Sequence, residues 1–258
     1  MGEGSHTGIV VDKDRMVERL SGIGRCAPYP ESISQPGFGG KFTPDGQALP
    51  FPGNTFICHI PRHAPFFDAL CAMQAGMKAH AQARYFAFLP PPSFHMTVFP
   101  GVCGSPLGYD GWPDGFSPEV GLDEITKTFM SRLNDVTGFE RVNVKAVGLY
   151  HPCSILVDPA DIEGSAALWA MREKLQAVTG LHRSDFAQYR FHVTLGYPLC
   201  WIPPNHAEGL IDAATDLFAT YFPDQADVPL GPVEFCRFKT MLHFDPLRII
   251  RSAEAGRD

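Results

Sequence analysis

"SFHMTVFPG", residues 93–101, and "RFHVTLGYP", residues 190–198, repeat one pattern: a histidine and a threonine two apart inside an otherwise apolar run. A strand turns successive side chains to opposite faces, so His95 and Thr97 share one face, and so do His192 and Thr194. The apolar neighbours Phe94, Met96 and Val98, and in the second stretch Phe191, Val193 and Leu195, take the other face. The apolar set points to a core. The two polar sets must then face something else.

Working outward, the surroundings of the two stretches share a grammar. In the first half a strand at "NTFICHI" is followed by a helix over about 65–81, a strand at "ARYFAFL", a break at three prolines, and the strand bearing His95. A Gly/Pro-rich loop over 101–118 leads to a helix over about 119–136, with Leu122, Ile125, Phe129 and Leu133 on one face. The second half gives strands at "RVNVKAVGLY" and "SILVD", a helix over about 163–178, a turn at Gly180 and the strand bearing His192. A further helix over about 206–221 and strands at "VEFCRFKTM" and "LRII" follow. The expected fold is α+β, bilobed and duplicated: two antiparallel sheets line a central groove, with helices outside. Residues 1–53, rich in Gly and Pro, read as an arm with a short helix at Asp12–Leu20 and a hairpin at "KFTPDGQAL". Residues 54–258 form the bilobed domain.

Composition narrows the function. A formal charge of -7 argues against a broad basic surface for long nucleic acid but leaves room for a small anion in a local basic pocket. Seven scattered cysteines without a C-x-x-C pair read as reduced thiols, consistent with the cytoplasm. The N-terminal stretch lacks a signal-peptide pattern, and no run is long enough to span a bilayer, so no membrane partner is expected.

Two imidazoles on matched faces have definite chemistry. With ordinary pKa values of about 6.5, one takes a proton from water while the other gives one to a leaving oxygen. A threonine hydroxyl beside each donates a hydrogen bond to a phosphoryl oxygen. This proton inventory calls for no metal and no cofactor. The doubled H-x-T on "FHMTV" and "FHVTL", in a duplicated α+β chain, resembles the two-histidine (2H) phosphoesterase superfamily over roughly residues 54–250. The resemblance implies a bilobed fold with a central groove and, in many members, metal-independent opening of 2',3'-cyclic phosphates on nucleotides or RNA ends. It carries over His95 and His192 as catalytic residues and Thr97 and Thr194 as phosphate-binding residues.

The expectation is therefore a cyclic phosphodiesterase acting on a small nucleotide or a short RNA end, with His192 activating water and His95 protonating the departing oxygen. The alternatives are a non-catalytic nucleotide or RNA-end binding module of the same fold, and an RNA-end transesterase or ligase. The long arm and the 101–118 loop depart from compact members of the superfamily. Strand parity adds Arg190 as a phosphate clamp on the face of His192, and puts Ser93 and Phe99 on the face of His95, Ser93 reading as a turn residue and Phe99 as a stacking or buried ring. Lys41 in the Gly-rich arm is placed to close over an anion. Arg84, Arg237, Lys239 and Arg248 are further groove cations. "CHIPRH" sets Cys58, His59 and His63 close together, but Pro61 breaks any shared helical face, which argues against a metal there.

Overall fold

A computed structural model describes residues 12–223 and 227–253; residues 1–11 of the expected arm lie outside them. A short helix α1 (Lys13–Ser21) opens the chain. The Asp12 carboxylate caps it by accepting from the Arg15 N–H, and Gly22 ends it in the left-handed conformation at φ 63°. Strand β1 (Gly53–His59) leads into helix α2 (Pro65–Ala79), then β2 (Phe86–Phe88) and β3 (His95–Cys103). Helix α3 (Leu122–Arg132) connects to the second half, which runs β4 (Val142–His151), β5 (Ser154–Pro159), α4 (Ile162–Thr179), β6 (His192–Thr194) and β7 (Gly196–Pro198). Helix α5 (Pro204–Tyr221), β8 (Val228–Leu230), β9 (Val233–Phe238) and β10 (Asp245–Ile250) complete the chain.

The large sheet has the order β10-β9-β1-β3-β6-β5-β4-β8, and every pairing in it is antiparallel. It divides into two four-stranded halves, with β3 and β6 meeting at the centre. The two expected sheets are thus present as two halves. They join through one register pair, Met96 opposite Val193. Both residues are fully buried, and with Ile57, Val98, Ile155, Leu168 and Leu175 they form the core under the helices. Each such side chain contributes roughly 1.5–3 kcal/mol by leaving water.

Three local departures from the sequence reading have physical causes. "ARYFAFL" forms a single turn of tight helix over 83–85 before the short β2, which pairs with β7 instead of joining the main sheet. The run "FHVTLGY" is cut at Leu195 into β6 and β7. Its backbone leaves the large sheet there: the Leu195 N–H donates to the Cys153 carbonyl, and the Leu195 carbonyl accepts from the Leu89 N–H and from Gln74 Nε2. Finally, the hairpin at "KFTPDGQAL" amounts to isolated bridges of Phe42 with Ile33 and Ala48, closed by a turn at Thr43–Gln47.

A bulge in β3 matters most for the site. The register runs Thr97 opposite Ile57 and then Phe99 opposite Phe56, so Val98 is skipped. Its carbonyl accepts from Arg172 Nη1 at 2.6 Å. Arg172, on α4, is wholly buried, and its guanidinium lies over the rings of Tyr189 at 4.2 Å and Phe186 at 4.7 Å. Gln74 is buried too, and its Nε2 donates to the carbonyls of Leu89 and Leu195, both at 2.8 Å. It thereby ties the approach to β3 to the exit from β6.

Among the described residues no helix is long and apolar enough to cross a membrane.

Candidate active site

The Met96–Val193 pair determines where the four motif residues lie. In an antiparallel pair the neighbours of a register pair oppose each other crosswise, so His95 stands opposite Thr194 and Thr97 opposite His192. All four share one face. Each His–Thr pair spans about 5 Å between Cβ atoms, and the two histidines occupy a diagonal of about 7–8 Å. That is room for one phosphorus between two rings. The four side chains line a cavity of about 490 Å³.

Both rings are oriented in the same way. His95 Nδ1 lies 2.7 Å from the Ser93 carbonyl, and His192 Nδ1 lies 2.8 Å from the Arg190 carbonyl. A carbonyl only accepts, so each Nδ1 carries its proton and each Nε2 is left as the free acceptor. The bond spans two residues in both motifs, a symmetry that follows from the repeated strand. His95 packs against the edge of Phe244 at 4.3 Å between centroids, and His192 stacks on Tyr150 at 5.0 Å and 12°. Burial lowers the His95 pKa to about 4, against a smaller upward pull from the Ser93 carbonyl; His59, His192 and Lys41 add to the lowering. Burial also lowers His192, countered by the Arg190 carbonyl and reinforced by Lys41 and Arg19. Both imidazoles are therefore neutral near pH 7. Neither threonine hydroxyl has a hydrogen-bond partner among the described residues, so both are available to a ligand.

Lys41 enters the same cavity from the arm. Its ammonium sits among the rings of Phe51 and Tyr197, both at 5.3 Å, and Tyr109 at 5.5 Å. It makes no ion pair among the described residues. Burial works to lower its pKa, but Tyr197, Tyr109, Asp110 and Cys103 together outweigh burial and raise it above the ordinary lysine value. A charged, unpaired ammonium in a concave site is a ready partner for an anion.

The remaining sequence candidates fall elsewhere. Arg190 is exposed and its side chain is not in the cavity lining; its carbonyl, holding His192, is what reaches the site. The lining contains Arg183 instead, 8% exposed in its side chain and held by Asp110 and Asp185. Ser93 is a buried turn residue whose hydroxyl donates to the Pro90 carbonyl. Phe99 is fully buried, because the bulge at Val98 reverses the parity beyond Thr97. Arg237 pairs with Asp123, Arg248 donates to the Met130 carbonyl and to Asn134, Arg84 lies over Tyr85, and Lys239 is exposed.

Cys58, His59 and His63 do not converge: Cys58 is buried, its thiol pushed up by burial, and His63 is exposed. His59 instead lies 2.9 Å from the Glu234 carboxylate, with Cys236 completing a group whose donor atoms all lie within 4.8 Å of one another. Burial and Glu234 hold the Cys236 thiol protonated. The His59–Glu234 pair flanks the site, with the His59 ring 6.4 Å from that of His95.

The 2H-phosphodiest family model, described as a domain of unknown function (DUF1868), matches residues 41–151, a span that includes His95 and Thr97. The second H-x-T pair extends the same pattern to the other half, and the chain has the α+β architecture of a two-histidine phosphoesterase. The solved structure of a conserved protein of unknown function from Agrobacterium tumefaciens str. C58 is 26% identical, with a TM-score of 0.79 over 93% of this chain and 100% of that one. A crystal structure of a phosphoesterase has 11% identity and a TM-score of 0.43, covering 77% of this chain and 96% of its own. A protein of Thermus thermophilus has 13% identity and a TM-score of 0.44, covering 78% and 98%. The search of curated proteins found no match. The match over residues 41–151 supports phosphoesterase-type chemistry.

Proposed function

We propose that the protein hydrolyses a cyclic phosphodiester, the 2',3'-cyclic phosphate of a nucleotide or an oligonucleotide end, by two-imidazole acid/base catalysis without a metal. The observation that carries this reading is the matched pair of rings, each with Nδ1 held by the carbonyl two residues before it and Nε2 free in one cavity. One Nε2 accepts a proton from water as the new P–O bond forms. The other, protonated once the phosphate anion is bound beside it, gives its proton to the ribose oxygen as the old P–O bond breaks. Thr97, Thr194 and the Lys41 ammonium neutralise the charge on the non-bridging oxygens.

The cavity supports an assignment of roles opposite to the one suggested by the sequence. A second cavity of about 620 Å³ adjoins the first on the side of His192 and Thr194, and neither His95 nor Thr97 lines it. In an in-line displacement the leaving oxygen stays on the nucleoside, so the nucleoside and the acid lie together. With the nucleoside in the larger space, His192 is the acid and His95, neutral through burial, is the base.

The test is turnover of 2',3'-cyclic nucleotides, 3',5'-cyclic nucleotides and short RNAs with cyclic ends, in EDTA, for wild type, His95→Ala and His192→Ala. Each variant is expected to lose about 10²–10⁴-fold in kcat/KM. Full activity in either variant removes the mechanism. Tight nucleotide binding without turnover of any of these substrates would make the groove a binding module.

A further inference from the structure

The arm and the body of the domain share in building the second cavity, the arm supplying nine of its sixteen lining residues. Arg19 and Arg25 reach it from α1 and the turn after it, Tyr29 and Lys41 from the following loop, and Tyr150 and Trp201 from the body of the domain. Its lining holds three cations that make no ion pair among the described residues, and a single carboxylate, Glu31, in a chain whose overall charge is -7. Arg19 lies 4.2 Å over the Tyr150 ring while donating to the Tyr150 carbonyl, and Tyr150 in turn stacks on His192. Guanidinium, phenol and imidazole thus form one column leading from this chamber to the reacting position.

The chamber is built to shape. Gly22 turns the chain out of α1 toward Arg25, and a Cβ added there would meet the Trp201 ring at 2.3 Å. The Trp201 Nε1–H donates to the Ala27 carbonyl at 2.7 Å, and the Ile202 N–H donates to the Leu20 carbonyl at 2.9 Å. The arm is therefore pinned where its arginines face inward. The chamber also shares Lys41, Tyr150, His192, Thr194 and Tyr197 with the catalytic cavity, so one ligand can occupy both.

We propose that this chamber is a subsite for a second phosphate on the substrate, held by Arg25, Arg19 and Lys41, with the ribose between the two phosphates passing the edge of Tyr150 and the base lying against Trp201. This rests on the phosphoesterase reading and narrows it: the substrate is a nucleotide carrying a phosphate besides the cyclic one, and not a bare cyclic mononucleotide. Arginine forks suit phosphate oxygens, and the Trp201 ring in the lining suits a planar base.

The proposal is tested by calorimetric titration of the full chain with two product-like probes, adenosine 2'-monophosphate and adenosine 2',5'-bisphosphate, for wild type, Arg25→Ala and Arg25→Lys. Wild type is expected to bind the bisphosphate about tenfold or more tightly, the scale of one charge-assisted contact, with a steeper loss on adding salt. Arg25→Ala should abolish most of that preference while leaving monophosphate affinity unchanged, and Arg25→Lys should restore part of it. Arg25 is exposed, so its loss leaves the core intact. Equal binding of the two probes, or a preference unaffected by Arg25→Ala, overturns the proposal. Parallel turnover of adenosine 2',3'-cyclic phosphate, with and without a 5'-phosphate, separates the two readings. Turnover without preference removes the subsite and keeps the phosphoesterase. An Arg25-dependent preference without turnover of either substrate keeps the subsite and removes the phosphoesterase.

Discussion

Acid should unfold this protein partly through His95, and the contribution can be isolated. In the fold, burial lowers the His95 pKa from 6.5 to about 4. Between those values the unfolded chain binds a proton that the folded chain refuses. Stability therefore rises with pH in this window: the contribution is complete above about 6.5 and is lost as pH falls toward about 4. At pH 4.5 the loss from this one ring is roughly 2–3 kcal/mol relative to pH 7.5, from the linkage relation at 25 °C. The perturbation is His95→Asn, whose side-chain amide can still donate to the Ser93 carbonyl but does not titrate. Urea unfolding followed by circular dichroism, for both proteins at pH 7.5 and 4.5, gives two stability losses on acidification. The variant's loss should be smaller by roughly 2–3 kcal/mol, because His151, lowered to about 3 by burial, by Arg19 and by His192, acts equally in both proteins. Identical losses in wild type and variant would refute the account of His95 as a buried, neutral imidazole.

Three further outcomes are expected. An aryl phosphodiester, whose phenolate departs without a proton, should be turned over by His192→Ala within about tenfold of wild type while His95→Ala stays inactive, since only the base is then needed; the reverse pattern exchanges the roles. Lys41→Met should raise KM for the cyclic substrate by about tenfold or more, with a smaller change in kcat, through loss of the one ammonium in the aromatic cage; steady-state kinetics at constant ionic strength read this directly. Arg172→Leu should lower the stability by roughly 2–4 kcal/mol by leaving the buried Val98 carbonyl and the part-buried Phe186 carbonyl without their donor; chemical denaturation measures it.

How much of this was legible in the sequence depends on the range of the signal. Period-two alternation around His95 and His192 was enough to place both motifs on strands with apolar backs, and the sequence pattern located the five α-helices of the described residues within a few positions. Parity failed at Phe99, since a bulge inserts one residue and leaves no mark in the alternation. It failed again at Arg190, where continuing the strand backwards ignored that β6 begins only at His192. Arg183, Tyr150, Tyr197, Arg19 and Trp201 were not singled out because each is a lone residue in a loop, in a short helix or at a strand end. Their convergence is a product of chain folding, with no local period to announce it. Lys41 was marked as an anion-closing residue from its Gly-rich setting, while its cage of Phe51, Tyr109 and Tyr197 joins segments that no pattern links. The short β8 (Val228–Leu230), with Pro229 at its centre, gave no strand signal at all.

The docking of the arm has a consequence for biogenesis. Its anchors are partners made late: Ala27 waits for Trp201, 174 residues on, and Lys13 for Asp212, 199 residues on. Contacts so distant along the chain form slowly, and a ribosome that adds about 5–20 residues per second exposes the arm long before α5 exists to receive it. A nascent chain that has just completed β6 already owns both histidines and both threonines, yet the chamber beside them lacks the wall that the arm supplies. The arm thus finds its place only after α5 and the segment before it have been made, although it is itself made long before them.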